Sequence, residues 1–87
     1  MYCVYLLKNV EKEGWYIGFT IDIKRRVLEH NLGSGGKTTK GNKWKLIYFE
    51  SYLDKRDAIG REKFLKSGSG RKYLKKQLTH YLNSNNI

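Results

Sequence analysis

Eighty-seven residues make one domain and leave no room for separate binding and catalytic modules. Eighteen Lys and Arg against eight Asp and Glu give a net charge of +10, which points to a polyanionic partner, nucleic acid first. A hydrophobic fraction of 39% with 14% aromatics excludes a disordered basic tail, the single Cys3 excludes an internal disulfide, and Cys3, His30 and His80 are too few for a Cys/His zinc site.

Residues 1–7 form a short β-branched and aromatic run that suits a central strand buried on both faces. The polar stretch 9–14 ends in Gly14, and residues 15–19 supply a second strand, so the pair reads as a hairpin. Thr20 or Asp22 then caps a helix through about residue 31, with Gly33 as its stop signal. Residues 32–43 hold four glycines together with Lys37, Lys40 and Lys43, a basic loop of the kind that touches ligands. Residues 44–52 have strand composition, and Asp54 opens a helix to about Lys66 with acids in its first turn. Ser67-Gly68-Ser69-Gly70 is expected to break that helix, with a last helix over about 71–82 and a polar tail at 83–87. The expected fold class is therefore α+β: a small three-stranded antiparallel or mixed sheet flanked by helices, in the order β-β-α-β-α-α, as one domain over 1–82. No apolar run approaches the ~20 residues of a membrane span and no leader pattern opens the chain, so a cytoplasmic protein without a membrane partner is expected.

Some residues stand out against a plain core. Helical residues advance by about 100°, which with Ile23 at zero puts Val27 at about 40°, His30 at about 340° and Arg26 at about 300°. Arg26 and His30 thus border the apolar face, whereas Arg25, at about 200°, points to solvent or phosphate. On the next helix, with Ala58 at zero, Leu65 falls at about 340°, Glu62 at about 40° and Ile59 at about 100°, so Glu62 sits inside the apolar arc, where a carboxylate requires a cation, a hydrogen-bond donor or a metal. Alternation on the strands makes Tyr5 and Tyr16 candidate cross-strand neighbours, able to act in proton transfer beside an arginine.

In this order the residues resemble the GIY-YIG nuclease superfamily over nearly the whole chain. Cys3-Val4-Tyr5 stands where the Gly-Ile-Tyr signature would be, and Tyr16-Ile17-Gly18 is the Tyr-Ile-Gly signature intact, the two tyrosines eleven residues apart. The helix 20–31 looks like the family's helix, with Arg26 matching its catalytic arginine and His30 the histidine several members use; 58–66 looks like the helix bearing the metal-binding glutamate, here Glu62. The chain is most similar to small stand-alone members akin to the nuclease domain of the excision-repair incision subunit.

That resemblance implies a divalent-metal-dependent endonuclease acting on DNA, or RNA, in repair or processing; a monomer or weak dimer is expected. Glu62 would hold one Mg²⁺ or Mn²⁺, Arg26 would neutralise the non-bridging oxygens, and Tyr5 or Tyr16 would activate water with help from His30. Arg25, Lys37, Lys40, Lys43, Arg61, Lys63, Lys66, Arg71 and Lys72 are the expected phosphate contacts. Many members carry an asparagine after the metal helix, and none lies between 67 and 82, where Ser69, Lys72 or Gln77 would have to substitute. The alternatives are a catalytically silent nucleic-acid-binding module and, behind it, a protein-interaction domain anchored on Trp15, Tyr48 or Tyr52.

Overall fold

A computed structural model describes residues 1–33 and 42–84. Three strands, β1 (Tyr2–Asn9), β2 (Trp15–Thr20) and β3 (Trp44–Tyr52), alternate with four helices, α1 (Ile23–Asn31), α2 (Lys55–Leu65), α3 (Gly68–Gln77) and α4 (Thr79–Ser84), in the order β-β-α-β-α-α-α. The sheet runs β2-β1-β3 and both pairings are antiparallel, so no parallel pair enters the α+β fold. As the composition of residues 1–7 implies, β1 is central, and Cys3 through Leu7 are all buried. A strand covered on both sides must be apolar on both sides.

Alternation along β1 divides the interior in two. Val4 and Leu6 face α2 and α3, where Ile17, Ala58, Leu65 and Leu74 complete the larger cluster. Tyr5 and Leu7 face α1 and pack with Trp44, Tyr16, Ile23, Val27 and Leu46. Each fully buried leucine contributes roughly 1.5–3 kcal/mol, so neither cluster alone would offset the chain's ordering entropy and the sheet needs helices on both faces.

The helix starts lie where side-chain acceptors meet exposed amides. Asp22 accepts from the Arg25 N–H at 3.2 Å, and Asp54 accepts from the Arg56 N–H at 2.8 Å. α1 stops at Gly33, whose φ of 82° favours glycine and whose N–H reaches the His30 carbonyl at 3.3 Å.

The C-terminal half departs from expectation in two places. Ser67 to Gly70 do not form a spacer: Ser67 is an N-cap, its hydroxyl accepting from the Gly70 N–H at 3.1 Å, and α3 already begins at Gly68. Gly70 is buried, and a Cβ there would run into the Phe64 carbonyl and the Leu65 backbone, so glycine permits α3 to approach α2 closely. The single last helix is also two, because α3 closes at Leu78 and α4 restarts at Thr79, whose hydroxyl donates to the Lys75 and Lys76 carbonyls at 3.1 and 2.8 Å. α4 runs to Ser84, past the expected boundary at Leu82. Among the described residues no helix is long and apolar enough to cross a membrane.

Candidate active site

The hairpin sets the site's geometry. Its register places Tyr5 opposite Gly18 and Leu7 opposite Tyr16, so Tyr5 and Tyr16 are diagonal neighbours on the α1 face, ring centroids 6.3 Å apart. The Tyr5 ring lies across Gly18: a Cβ at position 18 would fall on Tyr5 Cζ and its hydroxyl oxygen. The glycine of the second signature is therefore a slot for the tyrosine of the first. That relation crosses the sheet and is not visible from spacing along the chain.

α1 closes the slot. His30 is fully buried and its Nε2 lies 2.8 Å from the hydroxyl of Tyr5, a residue 1% exposed. The Tyr16 ring packs 4.8 Å from the His30 ring and 6.3 Å from Trp44. Burial pushes Tyr5 up to about 12, against the lowering contact with the Arg26 guanidinium, and the charge on Glu62 pushes the same way as burial. Burial pulls His30 down, and the positive charge of Arg26 pulls it further. Both groups are therefore neutral at pH 7 and share one hydrogen bond, whose donor is set by the imidazole tautomer, while the Arg26 guanidinium favours the ionised phenol.

Arg26 stays near the surface. Its Nη1 lies 3.1 Å from Glu29, a residue Arg25 also meets at 3.3 Å, and the Arg26 side chain is 30% exposed where Arg25 is 75% exposed. The wheel separated these two arginines correctly. It did not foresee Glu29, which holds Arg26 in place from one turn on.

Glu62 arrives from the helix on the opposite face of the sheet, between buried Ala58 and Leu65, and its side chain is 22% exposed. Its partner is Lys66, at 3.1 Å one turn on, a residue that sequence reasoning had assigned to phosphate. The charge of Glu62 acts weakly on Tyr5 through the sheet, the least of the causes that raise it. Among the described residues no group of three His, Cys, Asp or Glu gathers as a ready-made metal site, at Glu62 or elsewhere.

The expected phosphate contacts divide. Arg25, Lys43, Lys63, Arg71 and Lys72 are exposed, while Lys37 and Lys40 lie outside the described residues. Arg61 has to be corrected. Its Nε and Nη2 donate to the two Glu50 oxygens at 2.9 and 3.0 Å, and its guanidinium sits 4.5 Å from the Tyr73 ring centre and 5.2 Å from that of Phe64. Tyr48 and Tyr52 also donate to Glu50, so these two tyrosines and Arg61 are tied into the fold and are not surface anchors. The strand alternation Tyr48-Glu50-Tyr52 was the available signal, since an acid on an inward strand face needs an arginine.

A hairpin presenting two tyrosines, a helix carrying arginine and histidine, and a glutamate from the next helix define a GIY-YIG catalytic domain. Residues 1–77 match that family's description, and the chain belongs to the GIY-YIG nuclease family. Its relatives are small UPF0213 proteins. The chain is 37% identical over 75 residues to the UPF0213 protein in the ldhD 5' region of Pediococcus acidilactici, covering 83% of this chain and 71% of that one. It is 42% identical over 64 residues to a UPF0213 protein of Clostridium perfringens, with 72% and 68% covered. With a UPF0213 protein of Staphylococcus saprophyticus it shares 38% over 74 residues, spanning 83% of this chain and 88% of the relative. No solved structure matches.

Proposed function

We propose that this chain is a cytoplasmic, divalent-metal-dependent endonuclease that hydrolyses phosphodiester bonds in DNA during repair or processing. The observation that carries this reading is the buried hydrogen bond of 2.8 Å between Tyr5 and His30, with the Arg26 guanidinium acting on the same phenol.

Water attacks phosphorus only when its proton has somewhere to go and the charge growing on the phosphate is supported. A tyrosine held near 12 is not itself a phenolate at neutral pH. It is instead a relay: the Tyr5 oxygen accepts the water's proton as its own passes to neutral His30 Nε2. His30 serves as the base through Tyr5, with which it shares the hydrogen bond. Tyr16 packs against the imidazole and keeps its ring in register with the phenol. Arg26, partly exposed, offers its planar fork of donors to the non-bridging oxygens.

Glu62 fits a hard cation. It is a partly exposed carboxylate that already holds a cationic group, and a single carboxylate suits Mg²⁺ or Mn²⁺ when substrate phosphate completes the oxygen shell. When bound, the ion supplies positive charge to the phosphate and to the leaving oxygen. Lys66 must then release Glu62, and its ammonium becomes free for a neighbouring phosphate. One such site per monomer nicks one strand per encounter.

The test is incubation of wild type and Glu62→Gln with labelled single-stranded, duplex and branched DNA, in Mg²⁺, Mn²⁺ or EDTA at low salt. Wild type cuts only with metal, and Glu62→Gln binds without cutting. Cleavage by Glu62→Gln at the wild-type rate removes the metal assignment. Substrate retarded but uncut in every wild-type lane establishes the silent binding module instead.

A further inference from the structure

On the sheet face opposite the tyrosine pair lies an open cleft of about 730 Å³, between the β1–β2 loop and the α3–α4 segment. One wall is built by a buried amide. Asn9 is 6% exposed, and its Oδ1 accepts from the Glu11 and Lys12 N–H groups at 3.0 Å each, while its backbone N–H closes the loop on the Gly14 carbonyl at 2.9 Å. The loop is thereby fixed before any ligand arrives, and it delivers Trp15 at the start of β2. The facing wall carries Arg71 and Lys75, one helical turn apart on α3.

The chemistry of this cleft is specific. The Arg71 guanidinium lies over the Trp15 indole at 5.7 Å, and Lys8 is the cross-strand partner of Trp15. Four cations line the cleft, Lys8, Lys12, Arg71 and Lys75, against the two carboxylates Glu11 and Glu13. An aromatic platform within a net positive cleft is how proteins hold a nucleic-acid base and the phosphates on either side of it. Arg71 is exposed, so its guanidinium can leave the indole for a phosphate when a base takes its place.

We propose that this cleft is a nucleotide subsite: Trp15 stacks one unpaired base, and Lys8, Lys12, Arg71 and Lys75 hold the adjoining phosphates. The reading deepens the nuclease assignment and rests on it for the position of the scissile bond. Trp15 and Tyr16 are consecutive on β2, about 3.4 Å apart along the strand, and point to opposite faces of the sheet. A strand passing around the β2 edge therefore presents a phosphate to Tyr5 and Tyr16 and the next base to Trp15. A paired base is held inside its stack and cannot turn into the cleft, so the substrate class is nucleic acid with an unpaired nucleotide next to the cut.

The experiment uses the intact chain in EDTA, so that binding is read without cleavage. Its probes are a short oligothymidylate and a blunt duplex, followed by anisotropy and by tryptophan emission. The wild type binds the single strand with quenching of its tryptophan emission. Trp15→Leu weakens single-strand binding by about tenfold or more and leaves duplex binding nearly unchanged. Lys75→Glu, at an exposed helical position, weakens single-strand binding and flattens its salt dependence. Trp15 packs partly against the core, so if its variant does not fold, Lys75→Glu decides alone. Unchanged single-strand affinity in the folded variants, or equal losses on both probes, overturns the subsite. Quenching and selective loss in a protein that never cuts DNA with metal retains the subsite and removes the nuclease reading.

Discussion

The molecule builds a cluster of tyrosine, arginine and glutamate on each face of its sheet, and the two have different fates. On the α2 face, Glu50 takes two bonds from Arg61 and one from each of Tyr48 and Tyr52, the ion pair being 24% and 15% exposed. Burial alone would raise the Glu50 carboxyl, yet the Arg61 guanidinium and the two hydroxyls hold it below the ordinary value. On the α1 face the tyrosine hydroxyl shares its hydrogen bond with a neutral imidazole, and the arginine meets its glutamate at the rim, where the two side chains are 30% and 31% exposed. The same residue types thus make a strut on one face and, on the proposed function, the reactive group on the other. What decides is whether a buried carboxylate satisfies the donors. A phosphate would have to evict Glu50 to reach Arg61, whereas Arg26 already stands at the surface.

Two arginine truncations give the largest contrast. Arg26→Ala lowers cleavage by about 10²- to 10³-fold with little change in melting temperature, the usual cost of a lost transition-state donor. Arg61→Ala strands Glu50 and costs about 2–3 kcal/mol of stability, with the rate per folded molecule retained. Thermal melts paired with initial rates check both, and similar rate losses in the two variants would abolish the distinction. Two glycines sharpen it next. Gly18→Ala and Gly70→Ala each drive a methyl into occupied space, the first onto Tyr5 and the second onto the α2 backbone. Each is expected to lose about 1–3 kcal/mol in urea titrations, and only Gly18→Ala, which displaces the phenol, also loses cleavage.

The smallest effect is in pH. His30 titrates lower in the folded chain than its ordinary 6.5, because of burial and then Arg26, with Glu29 opposing. As pH falls below 6.5 the unfolded chain takes up a proton that the folded chain refuses, so stability is complete above 6.5 and declines toward the folded value. Denaturation midpoints between pH 5 and pH 8 measure this decline, and His30→Gln removes its share. The cleavage rate falls at lower pH than this, as pH passes the folded value and protonated Nε2 can no longer accept from Tyr5.

Much of this was legible because local rules governed it. The central strand follows from an apolar run on both faces, the caps from Asp22 and Asp54, and the separation of Arg26 from Arg25 from a 3.6-residue period. What stayed hidden depended on partners distant in sequence or on backbone proximity. Gly18 as the slot for Tyr5 needs the strand register, and Gly70 needs the closeness of α2 and α3. The partner of Glu62 was one turn away at Lys66, masked by the expectation that lysines face phosphate. Arg61 was misread for the same reason: a basic run was treated as one surface, although Glu50 lay inward on β3.

The position of β1 bears on how the chain matures. Tyr5, Tyr16, Arg26 and His30 all come from the hairpin and the helix that follows it, whereas β1 meets β3 only through pairs as remote as Tyr2 with Tyr52, and Glu62 lies further on. During synthesis the hairpin can close early, but one flank of its inner strand stays bare until β3 emerges. Its other face lacks cover until α2 and α3 bring Ala58, Leu65 and Leu74. The segment that completes this core also delivers the glutamate. On the proposed function, a nascent chain holding the relay but lacking α2 would be inert, and competence to cut would arrive together with the stable fold.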